Sequence, residues 1–145
     1  MIEIQATQRT KTGARCAKKM KHSDFLPAVL YGRGIENKNL QVALKDVETV
    51  LDTKRGKNTL ITLKVEGDKN YLALIKAFQG DIFTRRILHV DFWNVKENQT
   101  VEIEVDTRLD GRPIGVEKGG GMEHVTRQVH LICEVGSIPD EIVVD

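Results

Sequence analysis

His89 and Asp91 stand two residues apart in the run "RRILHVDFWNV", residues 85–95. An imidazole beside a carboxylate can do three kinds of work. It can act as a general base with its orienting partner, join a metal site, or present hydrogen-bonding groups to a polar ligand. The flanking residues are apolar, so the stretch is read as a strand. Side chains two apart in a strand share a face, roughly 6.6 Å apart along the chain. On this reading Leu88, Val90 and Phe92 point into a core. His89 and Asp91 then face the other way, with Ile87 and Trp93.

Catalysis needs a nucleophile or a bound metal near such a pair. The chain has no GxSxG and no HExxH. His22, His124 and His130 show no metal-ligand spacing, and neither Cys16 nor Cys133 belongs to a CxxC pair. No catalytic residue, metal ion, cofactor or small-molecule substrate is therefore expected. A solvated polar pair and a polar binding platform remain, with a small enzyme using His89 and Asp91 as the alternative from another class.

A basic segment favours the platform. Arg9, Lys11, Arg15, Lys18, Lys19 and Lys21 place six cations within thirteen residues, with no acid among them. So one-sided a run fits phosphate contact. Mutual repulsion predicts partial disorder around Arg9–Lys21 in the free protein, relieved by a polyanion. Arg85 and Arg86 add charge just before the His–Asp strand, and Tyr31 at the end of "PAVLY" could stack on a base or ribose. The glycine loops point elsewhere. "GRG" at 32–34 lacks the third glycine and the helix of a dinucleotide fingerprint. "RGKN" at 55–58 has Leu51 where a phosphate loop has its first glycine. "KGGG" at 118–121 reads as a flexible loop.

The elements that must position these residues follow from periodicity. "IEIQATQ" alternates and predicts a strand from Ile2 to about Thr7. "PAVLYG" predicts a strand that Pro27 opens and Gly32 closes, and "LQVAL" predicts another. Val47, Val50 and Leu51 give "KDVETVLDTK" a helical apolar stripe. "TLITLKV" and "YLALIKAF" flank the turn "EGDKN" as a hairpin, and "ILHVDFWNV" closes this half. Beyond it, "VEIEVDTRL", "VTRQVHLICEV" and "EIVVD" read as strands around the loop "DGRPIGVEKGGG". The fold class is thus α+β, with an all-β second half.

Charge divides the chain at the same place. Residues 1–94 hold 17 Lys+Arg against 10 Asp+Glu, or +7; residues 95–145 hold 5 against 11, or −6. The split predicts two domains, 1–94 and 95–145, with different partners and with the polyanion on the first. The 145 residues, 40% hydrophobic and 30% charged, have the composition of a soluble globular protein. No apolar run approaches a membrane span or a signal peptide. Unpaired cysteines fit a reducing compartment. The expectation is a cytoplasmic protein without a membrane partner. The strand-like end predicts further sequence beyond Asp145.

"FLPAVLYG", "AFQGD", "ILHVDF" and "GVEKGGGM" fall in the order and spacing of the bacterial large-subunit ribosomal protein twenty-five family, which includes the CTC general stress proteins. The chain resembles the longer, two-domain form over essentially its whole length. The resemblance implies a small β-barrel with short helices, followed by a mostly β second domain that is truncated here. It implies binding of 5S rRNA in the central protuberance of the large ribosomal subunit. The expected RNA-contacting set is Arg9, Lys11, Lys18, Lys19, Lys21, Tyr31, Gly32, Gln79, Arg85, His89 and Asp91. The family usually carries arginines where this chain has Lys18, Lys19 and Lys21, so phosphate attraction survives there while bidentate geometry is lost. Arg15 and Cys16 stand at positions usually small in the family. A tRNA-binding module is the nearer alternative, since some synthetase anticodon domains use similar barrels.

Overall fold

The computed structural model describes residues 2–10 and 24–144. Lys11, Lys18, Lys19 and Lys21, and the predicted disorder of most of the basic segment, lie outside the described residues. Among the described residues no helix is long and apolar enough to cross a membrane.

Six strands close a barrel: β1 (Ile2–Gln8), β2 (Phe25–Gly32), β3 (Lys38–Ala43), β4 (Ile61–Val65), β5 (Asn70–Gly80) and β6 (Ile87–Asn94). Their order is β1-β3-β2-β6-β5-β4, closed by parallel pairing of β1 with β4. Alternation sends one set of side chains inwards. Ile4, Leu30, Leu40, Val42, Ile61, Leu63, Val90 and Phe92 are all fully buried. The hairpin predicted around "EGDKN" joins β4 to β5, and Gly67 turns it at a φ of 76° that favours glycine.

The predicted helix is α1 (Leu44–Leu51), which lays Val47 and Val50 into the barrel core. It has no side-chain cap at its N-terminus; instead the Asp24 carbonyl accepts from the Leu44 N–H at 2.8 Å. At the other end the Thr53 hydroxyl donates to the Val50 carbonyl at 2.7 Å, which satisfies one orphan acceptor.

A second sheet holds β7 (Thr100–Leu109), β8 (Gln128–Glu134) and β9 (Ile142–Val144) in the order β8-β7-β9. Most of the stretch predicted as a glycine loop is irregular, but Ile114–Glu117 forms one helical turn, α2, so the second half is not purely β. Pro113 stands just before the turn in extended conformation, where its missing N–H costs no helical hydrogen bond, and its carbonyl accepts from the Val116 N–H at 2.9 Å. The sheet's apolar face, Val101, Ile103 and Val105, packs with Val135 and Ile138 against Leu74 on the outside of the barrel. Leu60, Leu72 and Trp93 flank that core. Ion pairs bridge the same junction: Arg55 with Asp140, and Lys57 Nζ with Glu104 Oε2 at 2.6 Å. Part of the acidic second half therefore faces cations of the barrel.

Candidate nucleic-acid interface

β6 carries the His–Asp pair between two β-bulges. On one side the register steps from Ile75↔Phe92 to Ala77↔Asp91, leaving Lys76 as an extra residue in β5. On the other it steps from Gln79↔His89 to Gly80↔Ile87, leaving Leu88 extra in β6. A bulge shifts the facing of everything beyond it. That corrects the sequence reading of two residues. Ile87 is buried in the barrel core rather than sharing the polar face, and Leu88 is only half-buried and lies outside that core. Val90 and Phe92 point inwards as expected.

The outer face then builds up in rows across the strands. Gln79 lies opposite His89. In the next row Val29, Asp91 and Ala77 are neighbours on β2, β6 and β5. Tyr31, Trp93 and Leu74 make the third. Asn39 of β3 extends the middle row beyond Val29, and its carbonyl accepts from the Arg9 N–H at 2.9 Å. Arg9 thus ends the row that holds Asp91. At roughly 4.8 Å per strand, the platform spans about 14 Å between those two backbones.

His89 Nδ1 lies 2.9 Å from Asp91 Oδ1, with the two side chains 32% and 35% exposed. An ionised carboxylate only accepts, so Nδ1 carries the proton. The neutral ring then offers Nε2 as an acceptor, and the protonated ring offers it as a donor. The second Asp91 oxygen can accept from a ligand's amino or hydroxyl group. Burial, and after it the Asp91 charge, push the Tyr31 phenol above its ordinary pKa. It therefore stays a donor at neutral pH. The result is a half-exposed patch of oriented donors and acceptors.

Of the sequence-predicted residues, the structure brings Tyr31, Gln79, His89 and Asp91 onto one face, with Arg9 at its edge. Gly32 has a packing role. A Cβ there would come 2.7 Å from the Asn94 carbonyl oxygen and 2.9 Å from its Cβ, so β2 and β6 approach this closely only around a glycine. Arg85 lies off the sheet, on the loop after β5, with a φ of 53°. Sequence reasoning missed Asn39, whose place in the row depends on pairing between distant strands. It also missed Lys76, whose ammonium sits 5.1 Å from the Trp93 ring centroid. A cation in an otherwise apolar strand was its only trace. Among the described residues no group of three His, Cys, Asp or Glu side chains could hold a metal ion.

Comparison with known proteins reads the same segments. The family model described as "Ribosomal L25p family" matches residues 4–92. The chain belongs to that family. A second model, "Ribosomal protein TL5, C-terminal domain", matches residues 100–145, the second sheet. The large ribosomal subunit protein bL25 of Natranaerobius thermophilus is 34% identical over 143 residues, covering 99% of this chain and 66% of that protein. The protein of the same name from Desulfatibacillum aliphaticivorans is 33% identical over 144 residues, with 99% and 66% covered. That from Syntrophobacter fumaroxidans is 36% identical over 147 residues, with 99% and 74% covered. The chain thus spans about two thirds of the length of these relatives. The resemblance read from "FLPAVLYG" and "ILHVDF" is the family these comparisons find, and the barrel and second sheet are the fold it implied.

Proposed function

We propose that this chain is a structural constituent of the large ribosomal subunit, in the cytoplasm, and that it binds 5S rRNA through the outer face of β2, β6 and β5. Family membership supports the ribosomal part, because the relatives are named as large-subunit proteins. They are structural proteins, so the chain acts by binding and not by catalysis. The observation that carries the RNA part is the His89–Asp91 contact at 2.9 Å, held half-exposed beside Gln79 and Tyr31. A pair so oriented can read base edges and 2′-hydroxyls of an irregular RNA helix, while cations of the basic segment hold phosphates. The two domains, 1–94 and 95–145, divide the labour: the first holds the RNA, and the second is carried on its wall.

The test is retention of the full chain on 5S rRNA in a mobility-shift titration with tRNA as competitor, together with sedimentation on a ribosome gradient. The reading expects a shift that excess tRNA does not abolish, and co-migration with large subunits. Equal displacement by tRNA, or a protein that stays at the top of the gradient, contradicts it.

A further inference from the structure

The loop between β5 and β6, "DIFTRR" at residues 81–86, holds two large apolar side chains almost wholly in water. Ile82 is 91% exposed and Phe83 is 96% exposed. The loop is firmly built. The Asp81 N–H donates to the Arg86 carbonyl at 2.8 Å, and the Arg85 N–H donates to the Asp81 carbonyl at 2.8 Å. Asp81 Oδ1 accepts from the Phe83 N–H at 2.9 Å and from the Thr84 N–H at 3.3 Å. The loop's carboxylate is thereby turned onto its own backbone. Exposed Arg85 follows two residues after Phe83, in a left-handed conformation that is uncommon for a non-glycine residue.

We propose that this hairpin tip is a second RNA contact, in which Phe83 stacks on an unpaired base, Ile82 covers the adjoining sugar and Arg85 holds the neighbouring phosphate. The inference rests on the RNA-binding reading above. Three features favour RNA as the occupant. The hairpin arms that carry the tip are those that pair Gln79 with His89, so the tip continues the platform. The exposed charge at the tip is cationic, which suits a polyanion. An aromatic ring held out in advance is what stacking needs, since every base offers a π face and little ordering is left to do on binding.

The test uses the full chain and 5S rRNA, with Phe83→Ala, Phe83→Leu, Phe83→Trp and His89→Ala compared at constant salt. All replace exposed or half-exposed side chains, and circular dichroism confirms their folding. Loss of one stacked base lowers affinity by about 5- to 150-fold. The proposal expects that loss for both Phe83→Ala and Phe83→Leu, because leucine keeps the apolar bulk without the ring. It expects near wild-type affinity for Phe83→Trp. If His89→Ala weakens binding and every Phe83 variant binds like wild type, the tip is not an RNA contact. Lowered incorporation of those variants into large subunits would then identify a protein pocket as its occupant and overturn the proposal. If His89→Ala and the Phe83 variants all bind like wild type, the underlying RNA reading fails as well.

Discussion

The barrel and the second sheet solve the same packing problem in different ways. In the barrel every strand is paired on both sides, and closure leaves no edge. Its core is enclosed by its own six strands and by α1. The second sheet has three strands among the described residues, and its outer strands leave Ile132 75%, Val143 55% and Val144 44% exposed. Its core is complete only because Leu74 and its neighbours on the barrel supply the floor. The difference shows that one strand pair serves two purposes. Up to Asp91, the outer face of β5 and β6 is polar and open. From Trp93 onwards it becomes the wall on which the second sheet rests.

The largest effect expected from this asymmetry is on the isolated pieces. Residues 95–145 alone lack their floor and number about 50, near the lower limit for independent folding. They are expected to show no cooperative thermal transition by circular dichroism. Residues 1–94 are expected to fold and to keep most of the affinity for 5S rRNA, with Leu72, Leu74 and Trp93 newly exposed. RNA binding by 95–145, or a large loss for 1–94, would break the division of roles.

Within the intact chain, one deletion in each core sharpens the contrast. Val42 is fully buried in the barrel core, so Val42→Ala is expected to cost the transfer of two methylene equivalents plus a cavity term, more than about 1.5 kcal/mol in urea unfolding. Val135, 3% exposed, packs in the shared core, and Val135→Ala removes two methylene equivalents, or about 1.5 kcal/mol. Equal costs would mean that the second core is as well enclosed as the first.

The smallest effect is electrostatic. Asp68, at the β4–β5 turn, accepts from the Lys38 ammonium, the Lys69 N–H at 2.8 Å and the Tyr71 hydroxyl at 3.0 Å. The Lys38 contact first, then the other two, lower its pKa from 3.8 to about 2. The folded value lies below the unfolded one. The stabilisation is therefore present above pH 4 and is lost as the pH falls through about 2. The stability difference between wild type and Asp68→Asn should accordingly shrink between pH 4 and pH 2, as read by urea titration at each pH. A difference that stays constant over that range would show that the Lys38–Asp68 contact does not stabilise the fold.

Much of this architecture was legible in the chain. Alternation in "IEIQATQ", "VEIEVDTRL" and "LQVAL" reports a half-buried strand directly, because one face must be apolar. "YLALI" broke that alternation with an uninterrupted apolar run. The structure supplies the reason: Tyr71, Ala73 and Ile75 fill the barrel, while Leu72 and Leu74 lie against the second sheet. The bulges at Lys76 and Leu88 were not legible. A bulge depends on which partner a strand meets, and neither strand records that alone. The misplacement of Ile87 and Leu88 follows from this. The contact between His89 and Asp91 was readable only as a shared face, since spacing along a strand does not fix rotamers. The parallel pairing of β1 with β4, which closes the barrel, joins residues about sixty apart and left no local trace.

The role proposed for the β6 pair is contact with RNA through short-range polar groups. The most direct test is a salt titration of 5S rRNA affinity for Asp91→Asn. Removing Lys18, Lys19 or Lys21 should lower the slope of log affinity against log salt by about 0.7 to 0.9 each, as expected for a lost phosphate contact. His89→Ala should weaken binding and leave that slope near its wild-type value. Asp91→Asn takes a negative charge away from a polyanion, so long-range electrostatics alone predicts tighter binding. A carboxylate that accepts from the RNA and holds His89 predicts the reverse. The expected result, with folding verified by circular dichroism, is binding weaker by about 1–3 kcal/mol. Tighter binding by the folded variant would contradict the claim and return His89 and Asp91 to a role in the barrel wall alone.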